Sequence, residues 1–145
     1  MSLPSVRGWI IDFRTARQVF ASGNNQRIDH CVAACASGIM KHCHAEHELF
    51  KGVAALKAPF VDDNNCQCVP DAAILERCVA IAGSPPAQRL IKGGNSAIFI
   101  TATAVVQGFG VISSHHNLVF RTVRDLCSHF GVPVVTADEY FNEVL

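Results

Sequence analysis

The chain has 145 residues, of which 50% are hydrophobic and 17% are charged. Its 12 basic residues balance its 12 acidic residues, so the composition excludes an intrinsically disordered protein and one that attracts nucleic acid through a global positive charge. This length predicts a single domain over residues 1–145.

The first half of the chain predicts two strands and three helices, from short apolar runs and from helical spacing of apolar residues. In chain order these are a strand over Gly8–Asp12, helices over Arg14–Ala21 and Ile28–Ala36, a strand over Ile39–Cys43 and a helix over His44–Leu56. The first strand ends in a carboxylate. The stretch Ala58–Val69 has no regular pattern and predicts a loop.

The second half alternates helices with apolar strands and ends in a capped helix. In chain order it predicts helices over Ala72–Ala82 and Ser96–Gln107, a strand over Val111–Ser114, a helix over Arg121–Phe130 and a strand over Val132–Val135. Thr136 then N-caps the last helix, with Glu139 as its capping-box partner. The alternation predicts a three-layer α/β/α fold with a small, mostly parallel sheet. Ligands of such sheets bind beyond the carboxyl ends of the strands, where Asp12 and the residues Ser113–His115 are expected.

The sequence shows no sign of a membrane or export segment. It contains no apolar run of the roughly 18–20 residues that a membrane span requires, and Met1–Pro4 lacks the basic and apolar regions of a signal peptide. We therefore expect a cytoplasmic protein without a membrane partner. Reduced thiols follow from that location, and Cys31, Cys35, Cys78 and Cys127 lie in apolar periodic stretches that predict buried side chains.

The last third of the chain resembles a PIN domain. The segment 97–104, Gly108 and Val111–Ser114 are similar to that family's helix of small apolar residues, its glycine and its strand ending in Ser or Thr. The continuation Val123–Val132 resembles the closing helix and strand of the family. Earlier in the chain, Glu48-Leu49 followed by Lys51-Gly52 resembles the start of an inner helix.

PIN domains are metal-dependent ribonucleases whose three or four carboxylates bind Mg²⁺ or Mn²⁺, ions that prefer oxygen ligands. The resemblance implies that Asp12 and Glu48 are metal ligands and that Asp12, Glu48, Ser114 and His115 are the catalytic residues. Ala97 stands where the third acid belongs, and Ser114-His115 stand where the fourth belongs. The resemblance therefore implies an acidic centre that is incomplete.

Other polar residues near these positions are given different roles. Glu46 lies two residues before Glu48 and is expected to face elsewhere on the helix. Asn95 lies two residues before Ala97 and offers only a weak oxygen ligand. Asp62 and Asp63 are expected in a solvated loop.

A softer metal is the alternative for the ligand-rich stretch His42–Glu48. On a helix His44, His47 and Glu48 share one face, and Cys66-Gln67-Cys68 adds thiols that suit zinc. The spacing matches no zinc signature such as paired Cys-x-x-Cys motifs. Mg²⁺ or Mn²⁺ is therefore expected ahead of zinc.

Three functional hypotheses remain open. The first is a PIN-like domain of ribonuclease ancestry that is weakly active or binds nucleic acid, with RNA and an antitoxin-like protein as implied partners. The second is a non-catalytic α/β regulatory or protein-interaction domain that forms a homo-oligomer, which the high apolar content favours. The third is a zinc-binding domain that uses the His and Cys residues.

Overall fold

The fold is organised around one parallel sheet of five short strands. A computed structural model describes residues 2–89, 95–114 and 118–145. The strands are β1 Trp9–Ile11, β2 Met40–Cys43, β3 Gln67–Cys68, β4 Gly110–Ile112 and β5 Val134–Val135. Their order across the sheet is β3-β2-β1-β4-β5, and each neighbouring pair is parallel. The first strand is therefore the central one.

Helices make up most of the remaining described chain. They are α1 Phe13–Ala21, α2 Asn25–Ser37, α3 His47–Lys51, α4 Ala54–Lys57, α5 Ala72–Ala82, α6 Pro85–Arg89, α7 Asn95–Gln107, α8 Leu118–His129 and α9 Ala137–Val144. Within the described ranges, no helix combines the length and the apolar character that crossing a bilayer requires.

Successive side chains of the central strand enter two different hydrophobic cores, because side chains of a strand point alternately to opposite faces. Trp9 and Ile11 pack in a first core with residues of α1 to α4 and α9. Ile10 packs in a second core with residues of α5, α7 and α8. Helices thus cover both faces of the sheet, and the predicted three-layer α/β/α fold with a parallel sheet is confirmed.

The region between β2 and α5 differs most from prediction. The helix predicted over His44–Leu56 is divided into a 3₁₀ turn at His44–Glu46 followed by α3 and α4. Val53 breaks it, since its backbone is extended with φ −117° and ψ 111°. The loop prediction for Ala58–Val69 was wrong in part, because this stretch contains a π-helical turn at Ala58–Asp62 and the edge strand β3. A two-residue strand is too short to show alternation in the sequence.

Sequence signals at two other helix ends correspond to the caps that the structure has. The Thr136 hydroxyl accepts from the Glu139 N–H at 3.1 Å, and the Glu139 carboxylate accepts from the Thr136 N–H at 3.0 Å, so the predicted capping box of α9 is confirmed. Gly131 follows α8 with φ 73°, a conformation that favours glycine.

Candidate functional site at the carboxyl edge of the sheet

Polar side chains collect where four of the parallel strands end. Asp12 follows β1, Glu46 follows β2, Ser113 and Ser114 follow β4, and Thr136 follows β5. Parallel strands place their carboxyl ends at one edge, which is where ligands of open α/β sheets bind. This edge is therefore the candidate site.

Asp12 is the more enclosed of the two acids at this edge, with 3% of its surface exposed. It is the N-cap of α1, and its Oδ1 accepts a hydrogen bond from the Thr15 N–H at 2.7 Å. The Ser113 hydroxyl donates to its Oδ2. The carboxylate is thus held by a donor from the helix that follows it and by a donor from the neighbouring strand.

Thr15 and Ser114 extend this network towards the last helix. The Ser114 N–H donates to the Thr15 Oγ1 at 3.0 Å, and the Ala137 N–H donates to the Ser114 Oγ at 3.3 Å. Thr15 and Ser114 are both buried. Buried backbone donors need partners, so these side chains both satisfy the backbone and fix the position of Asp12.

Glu46 is the second buried acid of the edge, with 9% of its surface exposed. Its Oε1 accepts a hydrogen bond from the Phe13 N–H at 3.1 Å. Phe13 is the first residue of α1, whose opening N–H groups have no partner within the helix. Glu46 is thus bonded to the residue that follows Asp12, which places its carboxyl group within the electrostatic reach of the Asp12 carboxylate.

Burial disfavours the charged form of both acids. It raises the pKa of Asp12, against hydrogen bonds from Ser113 and Thr15 and the charge of Arg14, which lower it. Burial and then the Asp12 charge raise the pKa of Glu46 to about 7, against the Phe13 N–H, which lowers it. Near neutral pH Glu46 is therefore only partly ionised, and a cation placed between the acids would favour ionisation of both.

The structure brings together only part of the predicted site. Asp12 and Ser114 belong to one hydrogen-bonded network through Thr15. Glu48 does not lie beside them, because its side chain is 84% exposed and pairs with Lys51 at 3.5 Å. His115 lies outside the described residues, as does the neighbouring His116.

Glu46 was missed because a continuous helix was expected through this stretch. A regular helix turns Glu46 away from the face that carries Glu48. The 3₁₀ turn at His44–Glu46 comes directly after β2 and instead places Glu46 at the end of that strand. A carboxylate three residues after a buried strand was the only signal in the sequence, and it is a weak one.

The remaining acid positions supply no further carboxylate. Ala97, expected at the third position, is 3% exposed and packs in the second core. Asn95 begins α7, and its side chain is not among those described. Asp62 is exposed and pairs with Lys57 at 2.9 Å, and Asp63 is exposed. The solvated interpretation of Asp62 and Asp63 agrees with these positions.

The donors of the candidate site suit a hard cation. Asp12, Glu46 and Ser113 offer carboxylate and hydroxyl oxygens, the ligands that Mg²⁺ and Mn²⁺ prefer. Among the described residues, no group of three or more His, Cys, Asp or Glu side chains is placed to bind a metal ion. Asp12 and Glu46 thus offer two carboxylates, one side chain fewer than such a group contains.

The residues considered for zinc are divided between two sides of the sheet. The His42 Nε2 lies 2.8 Å from the His47 Nδ1, and His42 stacks on Phe50 of the first core at 4.4 Å between ring centroids. His44 instead contacts Phe99 of the second-core side at 4.7 Å. The thiols separate in the same way, since Cys66 packs in the first core and Cys68 in the second.

A cavity of about 180 Å³ opens beside Ser114. Gln18 and Arg27 line one side, and Thr136 and Asp138 line the other. Arg27 is paired with Asp138 at 2.9 Å. The cavity gives a small polar or planar group room next to the Asp12 network.

Comparisons with protein families, curated proteins and solved structures found no match to this chain. The fold and the site define the class by themselves. It is a three-layer α/β/α domain with a buried pair of acids, Asp12 and Glu46, at the carboxyl edge of a parallel sheet.

Proposed function

We propose that this chain is a PIN-like domain of metal-dependent ribonuclease ancestry, with a reduced acidic centre and weak activity on single-stranded RNA. The observation that carries the proposal is the buried pair of Asp12 and Glu46 at the carboxyl ends of neighbouring strands. The resemblance of the last third of the chain to PIN domains supports it independently.

The pair is difficult to explain as a purely structural feature. Two carboxylates that are both buried repel each other and lose hydration, and both effects favour the protonated form. Asp12 accepts the Thr15 N–H and Glu46 accepts the Phe13 N–H, but a neutral oxygen acceptor would satisfy that second donor without adding a charge. A second acid beside Asp12 raises the electrostatic free energy of the folded state, and a divalent cation is the ligand that would lower it.

Asp12 and Glu46 would hold the ion. A Mg²⁺ or Mn²⁺ ion bound there would supply a Lewis acid for the phosphoryl oxygen and lower the pKa of bound water. The protein's own contribution is orientation. Ser113 and Thr15 fix the Asp12 carboxylate, and the Phe13 N–H fixes that of Glu46.

Glu46 also couples ion binding to proton release. Without an ion, burial and the Asp12 charge raise the pKa of Glu46 to about 7, so a divalent cation that binds near neutral pH would displace the proton from Glu46. The cavity beside Ser114 would receive a part of the RNA that lies next to the cleaved phosphodiester. Two carboxylates in place of three or four should give weak metal affinity and slow turnover.

The test is cleavage of a labelled single-stranded RNA in the presence of Mn²⁺. Asp12→Asn and Glu46→Gln should each reduce the rate by more than the roughly 10–100-fold typical of removing a residue that only orients a ligand. Glu48→Gln is the matched control, because Glu48 is an exposed acid two residues away. It should leave the rate unchanged.

The possible results separate the hypotheses. Chelator should stop cleavage by the wild-type protein, and cleavage that continues in chelator contradicts the proposal. So does an active Glu46→Gln variant. RNA affinity that persists in chelator without cleavage, and that falls with salt, would assign a nucleic-acid-binding module instead.

A second candidate, a non-catalytic domain that self-associates, is favoured by the outer face of α5. Leu75 is 49% exposed and Val79 is 75% exposed, one turn apart, and the nearby Val69 is 66% exposed. Clustered apolar side chains of this kind are typical of interfaces. If the face binds a second copy, Leu75→Asp should convert a dimer to a monomer in analytical ultracentrifugation, whereas Ala73→Asp should not. A monomeric wild-type protein would exclude this candidate.

A further inference from the structure

Two cysteines from distant parts of the chain meet in the first core. Cys35 lies in the last turns of α2, and Cys66 directly precedes β3. The Cys66 Sγ lies 3.6 Å from the Cys35 carbonyl oxygen across a sequence separation of 31. The same Cys66 thiol also lies 4.0 Å from the Pro59 carbonyl oxygen, so it is enclosed between α2 and the turn at Ala58–Asp62.

We propose that Cys35 and Cys66 form a reversible disulfide when the protein meets a small peroxide. The contact between them is the first ground, because a disulfide needs two thiols whose backbones are already close. Their place in one hydrophobic core is the second, since packing holds the two side chains on the same side of the sheet. This site is independent of the Asp12 centre.

Cys66 is the attacking thiol because it directly follows the exposed Asn65, whereas Cys35 lies within α2. The interaction with Cys35 also lowers the pKa of Cys66, whereas the pKa of Cys35 is raised. The thiolate is the form that reacts with peroxides. Cys66 also follows the exposed residues Asp63 and Asn65, so only a small local movement admits a peroxide molecule.

The reaction has two steps. The Cys66 thiolate attacks one peroxide oxygen, the O–O bond breaks, and hydroxide leaves, so that Cys66 becomes a sulfenic acid. The Cys35 thiol then attacks the Cys66 sulfur, the S–O bond breaks, and the oxygen leaves as water with the Cys35 proton. In total two thiols lose two electrons and two protons, and one peroxide is reduced to two waters. A dithiol reductant restores both thiols.

The disulfide would link the two sides of one contact. Cys66 already binds β2, because its carbonyl accepts the His42 N–H at 3.0 Å. A covalent bond to Cys35 would therefore fix α2 to the segment between β2 and β3.

The other cysteine pairs are the competing outcomes. Cys43 and Cys68 are register partners on β2 and β3, and Cys31 lies one turn before Cys35 on α2. All seven cysteines are free thiols in the structure. The test must therefore identify which pair reacts.

The experiment treats reduced wild-type protein with hydrogen peroxide, blocks the remaining thiols under denaturing conditions and measures intact mass. We expect the loss of two thiols and of about 2 Da, both reversed by a dithiol reductant. Trypsin should then release peptides 28–41 and 58–77 as one species. Each peptide contains two cysteines, so fragmentation must place the bond between Cys35 and Cys66.

Variants test the order of steps. Cys35→Ala should stop at a sulfenic acid on Cys66 that dimedone traps, Cys66→Ala should form neither product, and Cys78→Ala should behave as wild type. A wild-type disulfide that joins any other pair, or oxidation of the folded protein without a cross-link, overturns the proposal. The wild-type result decides this even if a variant fails to fold.

Discussion

The acid pair Asp12–Glu46 and the histidine pair His42–His47 both take residues from the stretch that follows β2 but are built in different ways. The acids accept hydrogen bonds from backbone N–H groups and from a serine hydroxyl. His42 is surrounded by aromatic rings, and its Nδ1 has no hydrogen-bond partner within the described residues. The polar frame around the acids is what a binding site needs, whereas the histidine pair is a packing element of the core.

Burial acts on both pairs but shifts their pKa values in opposite directions. It raises the pKa of Glu46 to about 7 and lowers that of His42 to about 4, because it disfavours the carboxylate and the imidazolium alike. Stability should therefore depend on pH in opposite ways at the two pairs. The predictions below separate them, beginning with the largest effect.

The packing role of His42 predicts that its aromatic neighbour is essential for stability. Phe50 is fully buried and stacks on His42, so Phe50→Ala should lower the free energy of unfolding by about 3–5 kcal/mol. Leu49→Ala is the adjacent control, since Leu49 is 49% exposed, and should change it by less than about 1 kcal/mol. Urea denaturation measures both. Similar losses in the two variants would show that the aromatic core is not packed as described.

Because His42 is buried in its neutral form, we expect the protein to lose stability in acid. The pKa of His42 is lowered in the folded state by burial and by the charges of His47 and Lys41, from 6.5 to about 4. The unfolded chain therefore binds the proton first, and the contribution of neutral His42 is present above pH 6.5 and lost as the pH falls towards 4. The loss is roughly 3 kcal/mol. Urea denaturation from pH 7 to 4 should show that His42→Leu removes this component, and an unchanged profile would contradict the buried pair.

The raised pKa of Glu46 should make the free energy of unfolding change with pH in the opposite direction. Because its pKa is raised from 4.5 to about 7 in the folded state, its contribution is present below pH 4.5 and lost as the pH rises through 7. Over that range the folded protein loses roughly 3 kcal/mol relative to the Glu46→Gln variant. In the wild-type protein this slope partly cancels that of His42 between pH 4.5 and 6.5. Equal pH profiles of wild type and Glu46→Gln would place Glu46 in solvent.

Substitutions of Thr15 test the hydrogen bonds that hold Asp12 in position. Thr15→Val keeps the shape of the side chain but leaves the buried Ser114 N–H without its acceptor, which should lower stability by about 1–3 kcal/mol. Thr15→Ser keeps the acceptor and should lose much less. The difference between the two variants in thermal denaturation isolates the hydrogen bond. If both lose the same amount, the methyl group of Thr15 matters and its hydroxyl does not.

Much of the fold was predictable from local patterns, whereas the site was only half predictable. Short apolar runs identified β1, β2 and β4, and Thr136 with Glu139 identified the start of α9, because each signal lies within a few residues. Asp12 was identified for the same reason, as an acid at the end of a strand.

What failed depends on contacts between distant residues or on a break in a helix. Glu46 was expected to face away from the site because the 3₁₀ turn after β2 replaces the start of the helix that the sequence pattern predicts. The contacts of His42 with His47 and of Cys35 with Cys66 join different elements. The spacing of apolar residues within one segment does not indicate a contact with a distant segment.

The most direct test of the acid pair is the binding of Mn²⁺, measured by electron paramagnetic resonance independently of any activity. We predict one bound ion per wild-type chain at millimolar Mn²⁺ and loss of that ion in both Asp12→Asn and Glu46→Gln. Glu48→Gln should bind as the wild type does. No bound ion in the wild-type protein, or binding that depends on Glu48 and not on Glu46, would contradict the assignment of Asp12 and Glu46 as the functional centre.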